Sequence, residues 1–143
     1  MNHASCLNRK TRWIQDKAKK SPVRVVELGS GDGSLACRVL LRWGKVADGS
    51  RIIFVDQSPC LETNHVEQLG RLGWQVDNQV IDVFEWFKRD ASEIDLCFAS
   101  LFMHHFTFEE ITGLFDQLKT KTKAFVCLEP RRHWKGLLAT RAL

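Results

Sequence analysis

No stretch of this sequence approaches the roughly 20 consecutive apolar residues that a membrane-spanning helix needs, so no membrane span is expected. The first ten residues, MNHASCLNRK, are polar and basic, which argues against a secretory signal. The five cysteines, Cys6, Cys37, Cys60, Cys97 and Cys127, include no C-x-x-C pair and their number is odd. That pattern speaks against both a disulfide framework and a zinc knuckle. No His, Cys and carboxylate cluster has metal-ligand spacing, so no metal is implied. Repeats and low-complexity segments are absent. Tyrosine is missing and proline occurs three times, while hydrophobic residues make up 44% and charged residues 27% of the chain. Such a composition excludes collagen-like, disordered and disulfide-scaffold classes.

What is present fits one soluble domain. A chain of 143 residues suits a single unit over 1–143. A chain of that size buries roughly 70% of its unfolded surface. Cys97 and Cys127 lie inside apolar runs, where a free thiol acts as a small hydrophobe, and the pattern points to a reducing, cytoplasmic setting. The formal charge of +4 is unevenly spread: residues 1–24 carry a net +6, residues 25–129 a net −6 and residues 130–143 a net +4. Basic ends can mark a nucleic-acid or membrane-surface footprint. With no aromatic stacking pattern beside them, they read instead as a solvated basic helix over 1–21 and a basic tail over 131–143.

Five short runs read as strands: Val23 to Leu28, Arg51 to Val55, the more mixed Gln75 to Ile81, Ile94 to Ala99 and Ala124 to Leu128. Helical spacing lies between them, in Leu35, Val39, Leu40 and Trp43, in Leu61, Val66 and Leu69, and in Ile111, Leu114, Phe115 and Leu118. Leu7 and Ile14 belong to the basic N-terminal helix, which ends before Pro22. Strands alternating with helices predict βαβ units on a mainly parallel sheet covered on both faces. In such α/β folds, ligands bind outside the carboxyl ends of the strands.

The residues after each strand carry the chemistry. Glu27-Leu28-Gly29-Ser30-Gly31-Asp32-Gly33 follows the first, and its alternate glycines permit a tight turn with bare backbone beside a ligand. The dinucleotide frame G-x-G-x-x-G/A fails here, since it falls on Gly29, Gly31 and Ser34. Asp56, with Gln57 after it, follows the second strand; it can accept from two ribose hydroxyls, or cap the next helix or turn. Asp82 with the backbone of Val83 offers an acceptor and a donor side by side, matching adenine; the alternative is a helix cap over 83–90. His104 and His105 follow the fourth strand, where an imidazole can act as a general base, or can pack or cap. Glu129, Arg131 and Arg132 follow the fifth, as orienting and anion-binding groups or as a solvated tail.

In VVELGSGDGSLA, IIFVDQSP, VIDVFEWF, DLCFASLFMHHF and FVCLEPRR the chain resembles the class I S-adenosylmethionine-dependent methyltransferases, over residues 22–130. The resemblance implies a Rossmann-like doubly wound α/β sheet of about five strands in order 3-2-1-4-5, truncated relative to the seven-strand family fold. It implies S-adenosylmethionine as cofactor and S-adenosylhomocysteine as product. Glu27 would set the loop, and Gly29, Ser30, Gly31 and Gly33 would meet the methionine part. Asp56 and Gln57 would hold the ribose, Asp82 and Val83 the adenine, and Ala99, Ser100 and Leu101 would line the sulfonium end. His104 matches the position of the base in some phenol O-methyltransferases, so a small-molecule acceptor and O-methylation are favoured. The N/D-P-P-Y/F motif of nucleic-acid amino-methyltransferases is missing, which counts against nucleic acid. A cofactor-binding module without catalysis and an RNA or protein methyltransferase are the alternatives. Without the last strands, the fifth would be an open edge suited to pairing between copies.

Overall fold

The computed structural model describes residues 9, 11–90, 92–100, 102–128 and 140–142. The elements, in chain order, are α1 (Arg12–Ala18), β1 (Arg24–Leu28), α2 (Ser34–Trp43), β2 (Arg51–Asp56), α3 (Thr63–Arg71) and β3 (Gln75–Val80). There follow α4 (Val83–Arg89), β4 (Ile94–Ser100), a 3₁₀ turn (Met103–His105), α5 (Phe108–Lys121), β5 (Thr122–Leu128) and β6 (Thr140–Ala142).

β1 to β5 form a parallel sheet, as the alternation of apolar runs and helical spacing predicts, in the order β3-β2-β1-β4-β5 that the resemblance implies. Side chains alternate across each strand, and the two faces are covered by different helices. Val25, Ile52, Phe54, Leu96 and Phe98 pack with Ile14 and Ala18 of α1, Val39, Leu40 and Trp43 of α2, and Leu69 of α3. Val26, Leu28, Ile53, Val55, Cys97 and Cys127 pack on the other face with Trp86 and Phe87 of α4 and Leu114 and Leu118 of α5. Of the five cysteines, the four described ones are unbridged, with Cys97 and Cys127 buried as apolar residues.

The helix starts explain the strand-to-helix corners. Asp82 caps α4, its carboxylate accepting from the amides of Phe84 and Glu85. Thr107 and Glu110 form a reciprocal capping box at α5. After β1 the chain winds through β2 and β3 on one side, then crosses to β4 and β5 on the other. The gap between β1 and β4 is thus the switch point, and the strand ends beside it form the binding crevice of such sheets.

Two expectations need correction, and a third, the N-terminal helix, falls partly outside the described residues. The N-terminal helix is described only over Arg12–Ala18, with Ile14 buried; Leu7 lies outside the described residues. Leu61 precedes α3 instead of belonging to its apolar face. Thr140–Ala142 of the expected basic tail form β6, antiparallel to β5 with Ala124 opposite Ala142 and Val126 opposite Thr140. A three-residue polar segment carries no apolar signal; the outer edge of β5 supplies the unpaired amides and carbonyls that it joins. Over those residues β5 is therefore not the open edge. Residues 131–139 lie outside the described residues.

The opposite, amino end of the sheet is tied by charge. Asp95, 7% exposed, accepts from Lys17 Nζ at 2.7 Å, the Arg24 amide at 2.9 Å and Lys123 Nζ at 3.1 Å. Arg24 also pairs with Asp90. Part of the amino-terminal positive charge is therefore spent inside the fold. Among the described residues no helix is long and apolar enough to cross a membrane.

Candidate functional site

Residues at or just after the carboxyl ends of β1, β2 and β3, with the segment after β4, line one cleft of about 450 Å³, within the range of small-molecule sites. Its walls include Gly29, Asp56, Gln57, Asp82, Val83, Phe102 and His105.

The glycine turn is held from three directions. The Gly29 amide donates to the Val55 carbonyl at 2.8 Å, tying the turn to the end of β2. The Gly31 amide donates to Asp56 Oδ2 at 2.9 Å, while Asp56 Oδ1 accepts from the Ser58 amide at 2.8 Å. The Asp32 carbonyl accepts from the Glu62 amide and lies 2.8 Å from His65 Nδ1. Gly29, Gly31 and Gly33 all have φ between 55° and 81°, the left-handed region that glycine enters without strain. The outer two are also packed tightly. A Cβ on Gly29 would lie 2.2 Å from the Phe102 ring, and one on Gly33 would lie 2.5 Å from Leu61. Around Gly31 nothing lies within 4 Å of a Cβ position. The turn thus leaves its middle glycine unpacked, buries Gly33, and presents Gly29 to the cleft beside Phe102.

The acids lie where the sequence places them, with duties inside the fold as well. Asp56 uses two of the roughly four acceptor sites of a carboxylate, leaving the others for a ligand. Asp82 combines the cap of α4 with an acceptor role toward Gln57 Nε2 at 2.9 Å, joining the ends of β2 and β3 across the cleft floor. The cap alternative therefore holds for Asp82, and its carboxylate still lines the cleft. Val83, the first residue of α4, is buried behind it.

Glu27 sits beneath the turn, 2% exposed, with Oε2 buried and lacking a partner among the described residues. Burial pushes its carboxyl well above the usual range; a hydrogen bond from the Ala36 backbone opposes this, and the negative Asp32 and Asp56 add to it. Asp32 is held below its usual range, chiefly by hydrogen bonds from Ser34, whose amide lies 2.9 Å from Asp32 Oδ1 at the start of α2.

Ser30 is buried in the turn, and Ala99 and Ser100 end β4. Neither Ala99 nor Ser100 lines the cleft, and Leu101 lies outside the described residues. Of the two histidines, His105 is on the cleft wall and His104 is not; their rings stack at 4.1 Å. From sequence, Phe102 and Phe106 read as core residues in preference to substrate-stacking ones; both line the cleft, the Phe102 ring meeting Phe106 edge-on at 4.8 Å, as Phe106 meets Phe84 at 5.5 Å. The only sequence signal for this wall is the recurrence of phenylalanine at 84, 102 and 106. Glu129, Arg131 and Arg132 lie outside the described residues. Among the described residues no group of three or more His, Cys, Asp or Glu side chains is placed to hold a metal ion.

Solved structures of the same shape identify the architecture. Magnesium protoporphyrin IX methyltransferase from Synechocystis PCC 6803, crystallised with S-adenosylmethionine, superposes with a TM-score of 0.59 at 15% identity, over 98% of this chain and 64% of that one. The fold is that of the S-adenosylmethionine-dependent methyltransferases. The ribosomal protein L11 methylase of Lactobacillus delbrueckii subsp. bulgaricus matches with a TM-score of 0.51 at 18% identity, over 89% of this chain and 60% of that one. The METTL16 methyltransferase domain matches at 0.53 and 14%, over 85% and 50%. This methyltransferase-like chain thus spans less than two thirds of the length of these structures. No protein-family model matches it. No curated protein matches it in sequence either.

Proposed function

We propose that the cleft binds S-adenosylmethionine and that residues 1–143 act as one methyltransferase domain. The observation that carries this is the charge around the glycine turn. Helix N-termini that bind dinucleotide pyrophosphates offer free amides and a positive dipole end. Here the Asp32 carboxylate already takes the Ser34 amide at the start of α2, and the Asp56 and Asp82 carboxylates line the cleft beside the turn. That setting repels a pyrophosphate and suits a ligand whose sulfonium and ammonium groups are cationic. The buried Glu27 oxygen without a partner fits the same reading.

Asp56 and Gln57 hold the ribose, and Asp82 with the Val83 backbone holds the adenine. Gly29, Ser30, Gly31 and Gly33 border the methionine portion, set in place by Glu27, while Ala99 and Ser100, which do not line the cleft, are assigned to the sulfonium end by resemblance alone. The cofactor supplies an electrophilic methyl group. The protein's own work is alignment and exclusion of water, worth several orders of magnitude when geometry is held. Methyl transfer to the hydroxyl of a small molecule is the favoured reaction, with proton removal assigned to the His104–His105 pair. His104 is the position implied by resemblance, and the cleft wall adds His105 as the nearer candidate. Unbridged cysteines support a reducing, cytoplasmic setting. Pairing between copies would use β3 or the outer side of β6.

A second reading, a cofactor-binding module without turnover, is supported by His104, the base that the resemblance implies, standing off the cleft wall. Calorimetric titration with S-adenosylmethionine and S-adenosylhomocysteine tests the shared part. A methyl-transfer assay on a panel of small phenols then separates the two: turnover supports the enzyme, and binding without turnover supports the module. Loss of turnover in His105→Ala or His104→Ala, at unchanged cofactor affinity, would assign the base.

A further inference from the structure

The Phe102 ring lies against the α-carbon of Gly29, so close that a methyl group there would sit 2.2, 2.7 and 3.0 Å from three ring carbons. The same ring lines the cleft and is braced edge-on by Phe106, itself braced by Phe84. One side of the cleft holds polar groups suited to a nucleoside: Asp56, Gln57, Ser58 and Asp82. Toward the glycine turn, Gly29 and Phe102 line the cleft side by side, and the ring covers the face of Gly29 on which a side chain would stand.

We infer that Phe102 is a specificity-determining residue: seated on Gly29, its ring closes the methionine end of the cleft, admitting a nucleoside as the site stands and the whole cofactor only with the ring displaced. This rests on the cofactor reading above. A bound form that requires displacement has its affinity reduced by the cost of reaching that form. Leaving Phe106 gives up about one aromatic pair, so removing the ring should tighten binding of the longer ligand roughly three- to tenfold. A ligand ending at the ribose gains nothing.

The test is calorimetric titration of the full chain and of Phe102→Ala with adenosine and with S-adenosylhomocysteine, with circular dichroism to establish folding. Phe102→Leu, smaller and unable to stack but still apolar, serves if the alanine variant does not fold. The expected result is tighter S-adenosylhomocysteine binding in the variant, by roughly three- to tenfold, with adenosine affinity within about twofold. If S-adenosylhomocysteine binds the wild type and its affinity is unchanged or weaker in the folded variant, the selective role is wrong and the cofactor reading stands. If both ligands gain or lose affinity equally, Phe102 is a wall without selectivity and the inference is overturned. If neither ligand binds either protein, the cofactor reading fails and takes this inference with it.

Discussion

Replacing Asp56 by alanine removes two structural bonds and one proposed ligand contact, so it should leave two separable signatures. The carboxylate accepts from the Gly31 amide at 2.9 Å in a partly buried setting and from the Ser58 amide at 2.8 Å at the surface. A hydrogen bond to a charged group is worth about 1.5–3 kcal/mol where shielded and less where water competes. Because water can reach both amides once the carboxylate is gone, the net stability cost should be about 1–2 kcal/mol. In a chain of this size that corresponds to a fall in melting temperature of about 3–8 °C. The second signature is affinity: losing a charged acceptor for the ribose should weaken S-adenosylhomocysteine binding by about 10- to 100-fold. Asn is not a neutral replacement, because its amide nitrogen would face one of the two backbone donors. Thermal melts by circular dichroism and calorimetric titration read the two effects independently. A lowered melting temperature with unchanged affinity would make Asp56 a latch for the glycine turn and nothing more. An unchanged melting temperature would refute the structural half of the reasoning.

The buried acids and the turn give further expected outcomes. Glu27→Gln should stabilise the fold at neutral pH: a carboxyl with a raised folded pKa costs stability as pH rises from its unfolded value toward the raised one, so the advantage of Gln should grow across that window in melts taken from acid to neutral pH. An advantage already complete below pH 4 would contradict the burial of an ionisable Glu27. Burial pushes the Asp95 carboxyl up, but the hydrogen bonds from Lys17, the Arg24 amide and Lys123 outweigh it and leave it lowered. Its stabilisation is therefore full above the unfolded carboxylate range and lost as pH falls through the lowered folded value. Asp95→Asn should cost about 1–3 kcal/mol at pH 7 by denaturant titration, with a smaller cost in acid; an equal cost at pH 7 and pH 2 would show the charge to be irrelevant. Gly29→Ala should destabilise by more than about 1 kcal/mol, from the left-handed φ of 64° together with the Phe102 contact, and its cost should shrink when combined with Phe102→Ala.

The elements whose signal is local were legible. Apolar runs at Arg51 to Val55 and Ile94 to Ala99 became β2 and β4 with one further residue each, because burial between two helical layers demands such runs. Asp56 and Asp82 were legible because the ends of parallel strands converge on one crevice. What stayed hidden depends on contacts distant in sequence or on backbone rotation. Phe102 meets Gly29 from 73 positions away, and no composition rule marks it. Which of two adjacent histidines lines the cleft is decided by how the 3₁₀ turn at Met103–His105 places their neighbouring rings, and residue type does not reveal it. β6 is three residues long and polar, so its pairing comes from the edge of β5 and not from its own pattern.

The central claim is that the cleft at the carboxyl ends of β1, β2 and β3 holds S-adenosylmethionine. Its most direct test is a titration of the isotopically labelled chain with S-adenosylhomocysteine, monitored through amide resonances. Saturable shifts should appear at Gly29 to Gly33, Asp56 to Ser58, Ile81 to Val83 and Phe102 to Phe106, while the amides around Asp95 at the opposite end of the sheet stay in place. No saturable shift at millimolar ligand, or shifts centred away from the glycine turn and Asp56, would contradict it.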